Sequence, residues 1–188
     1  MNQLAIVLIL FIANFLPREK CGTYRWDYKV LIDTAGLRVF GIKPHPGKVD
    51  DLVRLARPHK EALEGKRASL EKQQVTVTAF VVAAGKEDDH DYHLVLKSPN
   101  NDATLIAEIP DPDCPELKHF PGLKTAYKDA RAFVRQEIDD KPEKVKPLAT
   151  PLKVQVTGVV FFDKMSHGNG HSVNGVEIHP ILKINKAA

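Results

Sequence analysis

The chain has 188 residues, a formal net charge of +3, charged residues at 27% and two cysteines. That length holds one domain with a proper core plus a peripheral segment at one or both ends. The small net charge lacks the strongly basic footprint of a protein that wraps a nucleic-acid duplex, and two cysteines far apart do not make a cysteine-rich zinc motif.

Leu4–Leu16 (LAIVLILFIANFL) is apolar throughout except at Asn14. It has the length of a signal-peptide core and is short for a bilayer span. Residues 1–20 are therefore expected to be a signal peptide, the alternative being a buried first helix or strand. The mature chain is expected to be secreted or periplasmic, with no stable membrane insertion once the signal is removed. Cys21 and Cys114 allow either one disulfide, tying the N-terminal segment to the loop after the third strand, or two independent thiols.

Residues 21–73 are expected to pack on the main domain. Tyr24, Trp26 and Tyr28 alternate with polar residues, which predicts a short strand or an extended strap. The proline-rich stretch Gly41–Gly47 reads as loop, and a short helix is expected before Pro58. From residue 74 the signal sharpens into a domain running to 188. Val75, Val77, Ala79 and Val81 alternate along a first strand; Tyr92–Leu96 and Thr104–Ile109 follow as second and third, joined by polar turns. Pro110–Pro121 reads as irregular. Leu123, Ala126, Tyr127, Ala130, Phe133, Val134 and Ile138 recur at three- and four-residue spacing, the stripe of an amphipathic helix. A charged linker is expected over 139–151, then strands over Val154–Phe162 and Val176–Ile184 around a glycine-histidine loop.

The order β-β-β-α-β-β predicts a mainly β fold, a small five-stranded OB-like barrel with one amphipathic helix and an N-terminal extended strap. In a closed barrel the first and fourth strands pair, which brings the loops after the first and fourth strands to neighbouring rims.

Three polar clusters carry the candidate chemistry. In the first, Asp89, Asp91 and His93 stand at the turn between strands one and two, with Asp91 and His93 on one strand face. They offer oxygen and nitrogen ligands to a divalent metal, or form a solvated turn. In the second, Asp113 and Glu116 follow the third strand, while Glu108 sits inside an otherwise apolar strand and needs a partner or an open face. The third holds His167, His171, Glu177 and His179, the last two sharing a strand face; histidines at this density suit metal or acid–base work. The spacing matches no HExxH or paired CxxC zinc signature, and there is no P-loop, GxGxxG or GxSxG.

RWDYK (Arg25–Lys29), EDDHDYHLVL (Glu87–Leu96), LIAEIPDPDC (Leu105–Cys114), VTGVVFFD (Val156–Asp163) and NGVEIHPIL (Asn174–Leu182) together resemble a family of exported bacterial proteins with an OB-fold-like domain and no assigned activity. More distantly, Asp91 and the Asp113-Cys114-Pro115-Glu116 element look like parts of the metal site of staphylococcal-type nucleases. That resemblance implies a metal-dependent phosphodiesterase, but the family's arginines are missing: TLIAEI carries none, and none follows Val154. The leading expectation is an exported OB-like binding module for an oligosaccharide, a cell-wall polymer, a protein or single-stranded nucleic acid, using the barrel face or the histidine-rich rim. The alternatives are a metal-dependent nuclease-like hydrolase around Asp91, His93, Asp113 and Glu116 or Glu177, His179 and His167, and a purely structural protein.

Overall fold

The computed structural model describes residues 21–22, 24–139, 143–165 and 170–188; the expected signal peptide and His167 lie outside these. Among the described residues six strands build one sheet: β1 (His45–Gly47), β2 (Gln74–Lys86), β3 (Tyr92–Lys97), β4 (Thr104–Ile109), β5 (Lys146–Phe162) and β6 (Val176–Lys186). Their order is β1-β2-β3-β4-β6-β5, and β2 also pairs with β5, so a ring of hydrogen bonds closes through five strands. This is the expected β-β-β-α-β-β order, mainly β, with the first and last ring edges satisfied by each other.

β2 and β3 form an antiparallel hairpin, β3 and β4 a second one, and β5 and β6 a third. The ring's narrowest seam is between β4 and β6, a parallel pairing of only Ile106 with Glu177 and Ala107 with Ile178. The core lies inside the ring. Val77, Ala79, Val81, Leu94, Leu96, Leu105, Ala107, Val154, Val156 and Ile178 are buried there. The amphipathic helix Pro121–Glu137 packs against β6 and adds Leu123, Tyr127, Ala130 and Val134 to the same core.

Before β2 the structure departs from the predicted strap. Trp26–Lys29 is a single helical turn (α1) and Thr34–Phe40 a two-turn helix (α2). Alternation over five residues does not separate a strand from a helical turn with one buried side, and here tertiary contacts decide. Asp33 caps α2 by accepting from the Gly36 amide at 3.0 Å and also holds the Arg67 guanidinium at 2.8 Å. Arg25 grips the fully buried Glu71 with both terminal nitrogens, at 2.7 and 2.6 Å, and the same carboxylate accepts from the Phe162 and Ala68 amides. A disulfide joins Cys21 to Cys114. The Tyr127 hydroxyl donates to the Val30 carbonyl at 2.9 Å.

Other differences are smaller. The predicted loop Gly41–Gly47 contains β1, which runs parallel to the start of β2. Helices form over Val49–Leu52, as expected, and over Lys60–Leu63. The irregular Pro110–Pro121 stretch carries a 3-10 turn at Pro115–His119. Part of the predicted linker is strand: β5 starts at Lys146 and accepts Pro147 opposite Ala83, beside a register shift between Val81 and Ala83, where a missing amide donor does the ladder least harm.

Candidate functional site

Side chains alternate across a strand, so the neighbours of the core residues face outward. These are His93 and Val95 on β3, Ile106 and Glu108 on β4, Phe161 on β5, and Glu177 and His179 on β6. The register sets them in rows. Val95, Ile106, Glu177 and Phe161 stand side by side, and His93 pairs with Glu108 in the next row. Two residues beyond Ile106 and Glu177 along the parallel seam, Glu108 and His179 come together.

Although it lies outside the ring, this face is covered. The Arg25 guanidinium sits 4.7 Å from the centre of the Phe161 ring, and Lys29 Nζ sits 5.7 Å from it. Lys29 reaches on to Asp163 at 2.7 Å and to Glu108 Oε2 at 3.8 Å. Glu108 is the hub. Its Oε1 accepts from His93 Nδ1 at 3.0 Å, and its Oε2 meets His179 Nδ1 at 2.7 Å in an ion-pair contact. His93 Nδ1 also lies 2.8 Å from Glu87, whose side chain is 44% exposed. On the far side, His179 Nε2 faces Asp91 Oδ2 at 3.5 Å, while Asp91 Oδ1 accepts from the Asp111 amide at 3.0 Å. Glu177 Oε2 stands 4.0 Å from His179 Nδ1. Asp91, His93, Glu108, Glu177 and His179 are all buried.

The electrostatics follow from this packing. Burial pulls the Glu108 carboxyl up, but His179, His93 and Lys29 outweigh it and hold the group well below the usual carboxylate range. Burial pulls His93 down, but its bonds to Glu108 and Glu87 lift it to about 9. His179 is likewise lifted to about 9, with Glu108 and Asp91 prevailing over burial and the nearby Lys29 charge. Burial raises Asp91 to about 6 despite His179. Glu177 goes well up, through burial and the charges of Glu108 and Asp163.

A cleft of ≈ 520 Å³ opens beside this cluster, lined by Val82, Ala83, Val95, Thr104, Val145 and Pro147, with Glu87, His93, Lys146, Gly170 and His171 among its polar and loop residues. His93 and Glu87 connect the covered cluster to it.

The structure thus brings together residues from all three predicted clusters: Asp91 and His93 from the first, Glu108 from the second, Glu177 and His179 from the third. Asp89 turns its Oδ1 to the Asp91 amide at 3.1 Å, a turn-forming role. His171 joins the cleft wall rather than the buried row. The remaining members of the second cluster stay apart. Asp113 is 61% exposed and pairs with Lys124 at 3.2 Å. Glu116 stands by Cys21 and Cys114, whose sulfurs are bonded to each other and are not free thiolates. The nuclease-like set of Asp91, Asp113 and Glu116 is therefore not assembled. Arg131 offers no substitute for the missing phosphate-binding arginines, because it donates to the His90 and Ile109 carbonyls and stacks 4.1 Å over Tyr92. Sequence reasoning missed Lys29, Asp163 and Phe161. A lysine next to a tyrosine gives no sign that a ring closed by distant strands will cover it.

No protein-family model matches the chain, and no curated protein sequence matches it. Two solved structures are similar. One is a protein described as an aspartyl-tRNA synthetase, from Leishmania major Friedlin, at 18% identity and TM-score 0.41, covering 78% of this chain and 21% of that one. The other is the OBody AM3L09 bound to hen egg-white lysozyme, at 17% identity and TM-score 0.35, covering 71% and 99%. The chain spans about a fifth of the length of the first.

Proposed function

We propose that the chain is an exported binding module whose ligand seat is the cleft along the outer face of β2 and β3. The observation that carries this is the cleft itself. Its volume of ≈ 520 Å³ lies within the range of small-ligand sites, and its polar end is His93, held in place by buried Glu108 at 3.0 Å. Apolar walls with a few fixed polar groups are how such sites combine affinity with orientation. Among the described residues no phenylalanine, tyrosine or tryptophan lines the cleft. Single-stranded nucleic acid, which binds by stacking on aromatic rings, is therefore disfavoured, and oligosaccharides and cell-wall polymers find no ring to lie on. A protein segment that inserts an apolar side chain between Val82, Val95 and Val145 and hydrogen-bonds His93 or Glu87 fits best. The disulfide supports export, since such bonds persist in oxidising compartments. Among the described residues no helix is long and apolar enough to cross a membrane.

Thr104 lines the cleft and is half-buried, so Thr104→Trp would occupy the space without opening the core. Heptapeptides selected on the wild-type protein by display should bind Thr104→Trp at least tenfold more weakly by calorimetry, with circular dichroism unchanged. Selected peptides that bind both proteins alike would place the ligand seat elsewhere.

A second reading, metal-assisted phosphodiester hydrolysis, draws support from the convergence of Asp91, Glu108 and His179, one ligand atom of each lying within 4.8 Å of the others. The burial of that trio, the separate positions of Asp113 and Glu116 and the engaged Arg131 weigh against a substrate reaching it.

A further inference from the structure

The buried end of the cluster is unfinished as a hydrogen-bond network. Asp91 Oδ2 and both ring nitrogens of His179 are sealed from solvent and have no aligned hydrogen-bond partner, and Glu177 Oε2 beside them is in the same state. Asp91 and His179 are fully buried. Orphaned polar atoms at such depth are costly and rare, and a bound ion is one way to satisfy them.

The spacing indicates which kind. The 3.5 Å between Asp91 Oδ2 and His179 Nε2 is long for a charge-assisted hydrogen bond, which closes to about 2.7–2.9 Å. It suits two donors on one ion, each about 2.0–2.2 Å from the metal. His179 Nδ1 lies 2.7 Å from Glu108 Oε2, and Nε2 faces Asp91. Glu108 also contributes an oxygen to the trio of ligand atoms within 4.8 Å of one another. Two carboxylates and a neutral imidazole balance a divalent charge. Lys29, 3.8 Å from Glu108, is already engaged by Asp163 at 2.7 Å.

We propose that Asp91, Glu108 and His179 form a seat for one first-row divalent cation, zinc foremost, that staples the start of β3, β4 and β6 together. One imidazole with two carboxylates is a zinc-type donor set; calcium takes six to eight oxygens, more than converge here. The position gives the ion a structural task. It lies just past the two-pair parallel seam between β4 and β6, where the ring has the fewest backbone bonds. This inference takes from the hydrolase reading only the convergence of ligands and stands without catalysis or cleft binding.

The purified full chain is stripped with chelator in denaturant, refolded with Zn²⁺, Mn²⁺ or Ca²⁺, desalted and assayed for bound metal and melting temperature. One zinc per chain, with a raised melting temperature, is expected. Asp91→Asn and His179→Gln should lose the zinc, while His93→Gln, which touches only the outer oxygen of Glu108, should keep it. Because the buried variants can fail to refold, anomalous diffraction at the zinc edge on wild-type crystals locates the ion independently. No retained zinc after refolding, zinc retained equally by Asp91→Asn and His179→Gln, or an anomalous peak away from this trio would each overturn the seat. Zinc held there with no phosphodiester hydrolysis supports the seat and ends the hydrolase reading.

Discussion

Replacing Glu108 by glutamine keeps the shape of the hub and removes its charge. In the wild type that carboxylate faces His93, His179 and Lys29 at 3.0, 2.7 and 3.8 Å. The lift of His93 from 6.5 to about 9 corresponds to about 3 kcal/mol at 1.36 kcal/mol per unit, which Glu108 shares with Glu87. Breaking a buried ion pair by removing one partner typically costs about 3–5 kcal/mol, because the cations left behind have lost their solvent and their counter-charge. Glu108→Gln is therefore expected to destabilise chelator-treated protein by about 3–5 kcal/mol at pH 7, a fall in melting temperature of about 6–20 °C for a chain of this size. The pH dependence carries a sign. A histidine whose folded pKa is raised contributes stability that is complete below its unfolded value near 6.5 and is lost as pH rises through its folded value. For His93 and His179 that value is about 9. The gap between wild type and variant should therefore shrink from pH 7 to pH 10. Urea unfolding across that range measures it. A gap under about 1 kcal/mol at pH 7, the scale of an exposed ion pair, or one that stays constant to pH 10, would refute the assignment of Glu108 as the charged hub.

Two further outcomes test the frame around the site. Reducing the bond between Cys21 and Cys114, which spans 93 residues, should cost about 2–4 kcal/mol in urea unfolding, and limited proteolysis should then cut first near α1; equal stability with and without reductant would mean the segment is held without it. Gly158 lies at a register shift in β5, where a Cβ would collide with the Ile178 side chain and the Pro180 carbonyl. Gly158→Ala should therefore lose about 1–3 kcal/mol by overpacking, and an unchanged melting temperature would contradict that close approach.

The parts of this molecule legible in its sequence are those fixed by local pattern. The alternation through Val75–Val81 and Thr104–Ile109 and the stripe on Leu123–Ile138 specify strands and helix because each must bury one face. Glu108 announces itself as a carboxylate in an apolar strand, and Glu177 and His179 share a face by period alone. What was not legible depends on distant partners. Trp26–Lys29 is a helical turn because Arg25 finds Glu71, and that contact crosses 46 positions. Lys29 becomes a buried counter-ion only when β4 and β6 meet, and no local rule reports that seam. Pro147 and Pro151 argue for a linker by composition, yet β5 tolerates both. The cleft is a property of the closed ring, so Val82 and Val95 read as ordinary strand residues and nothing in their spacing marks them as its walls.

The most direct measurement is an amide chemical-shift footprint of ¹⁵N-labelled protein titrated with the tightest selected heptapeptide. Shifts concentrated at Val82, Val95, Thr104 and His171 are expected. Shifts concentrated instead around Lys48, Thr76 and Asn100, which line a separate cleft of ≈ 490 Å³, would contradict the account and move the ligand seat to the opposite end of β2.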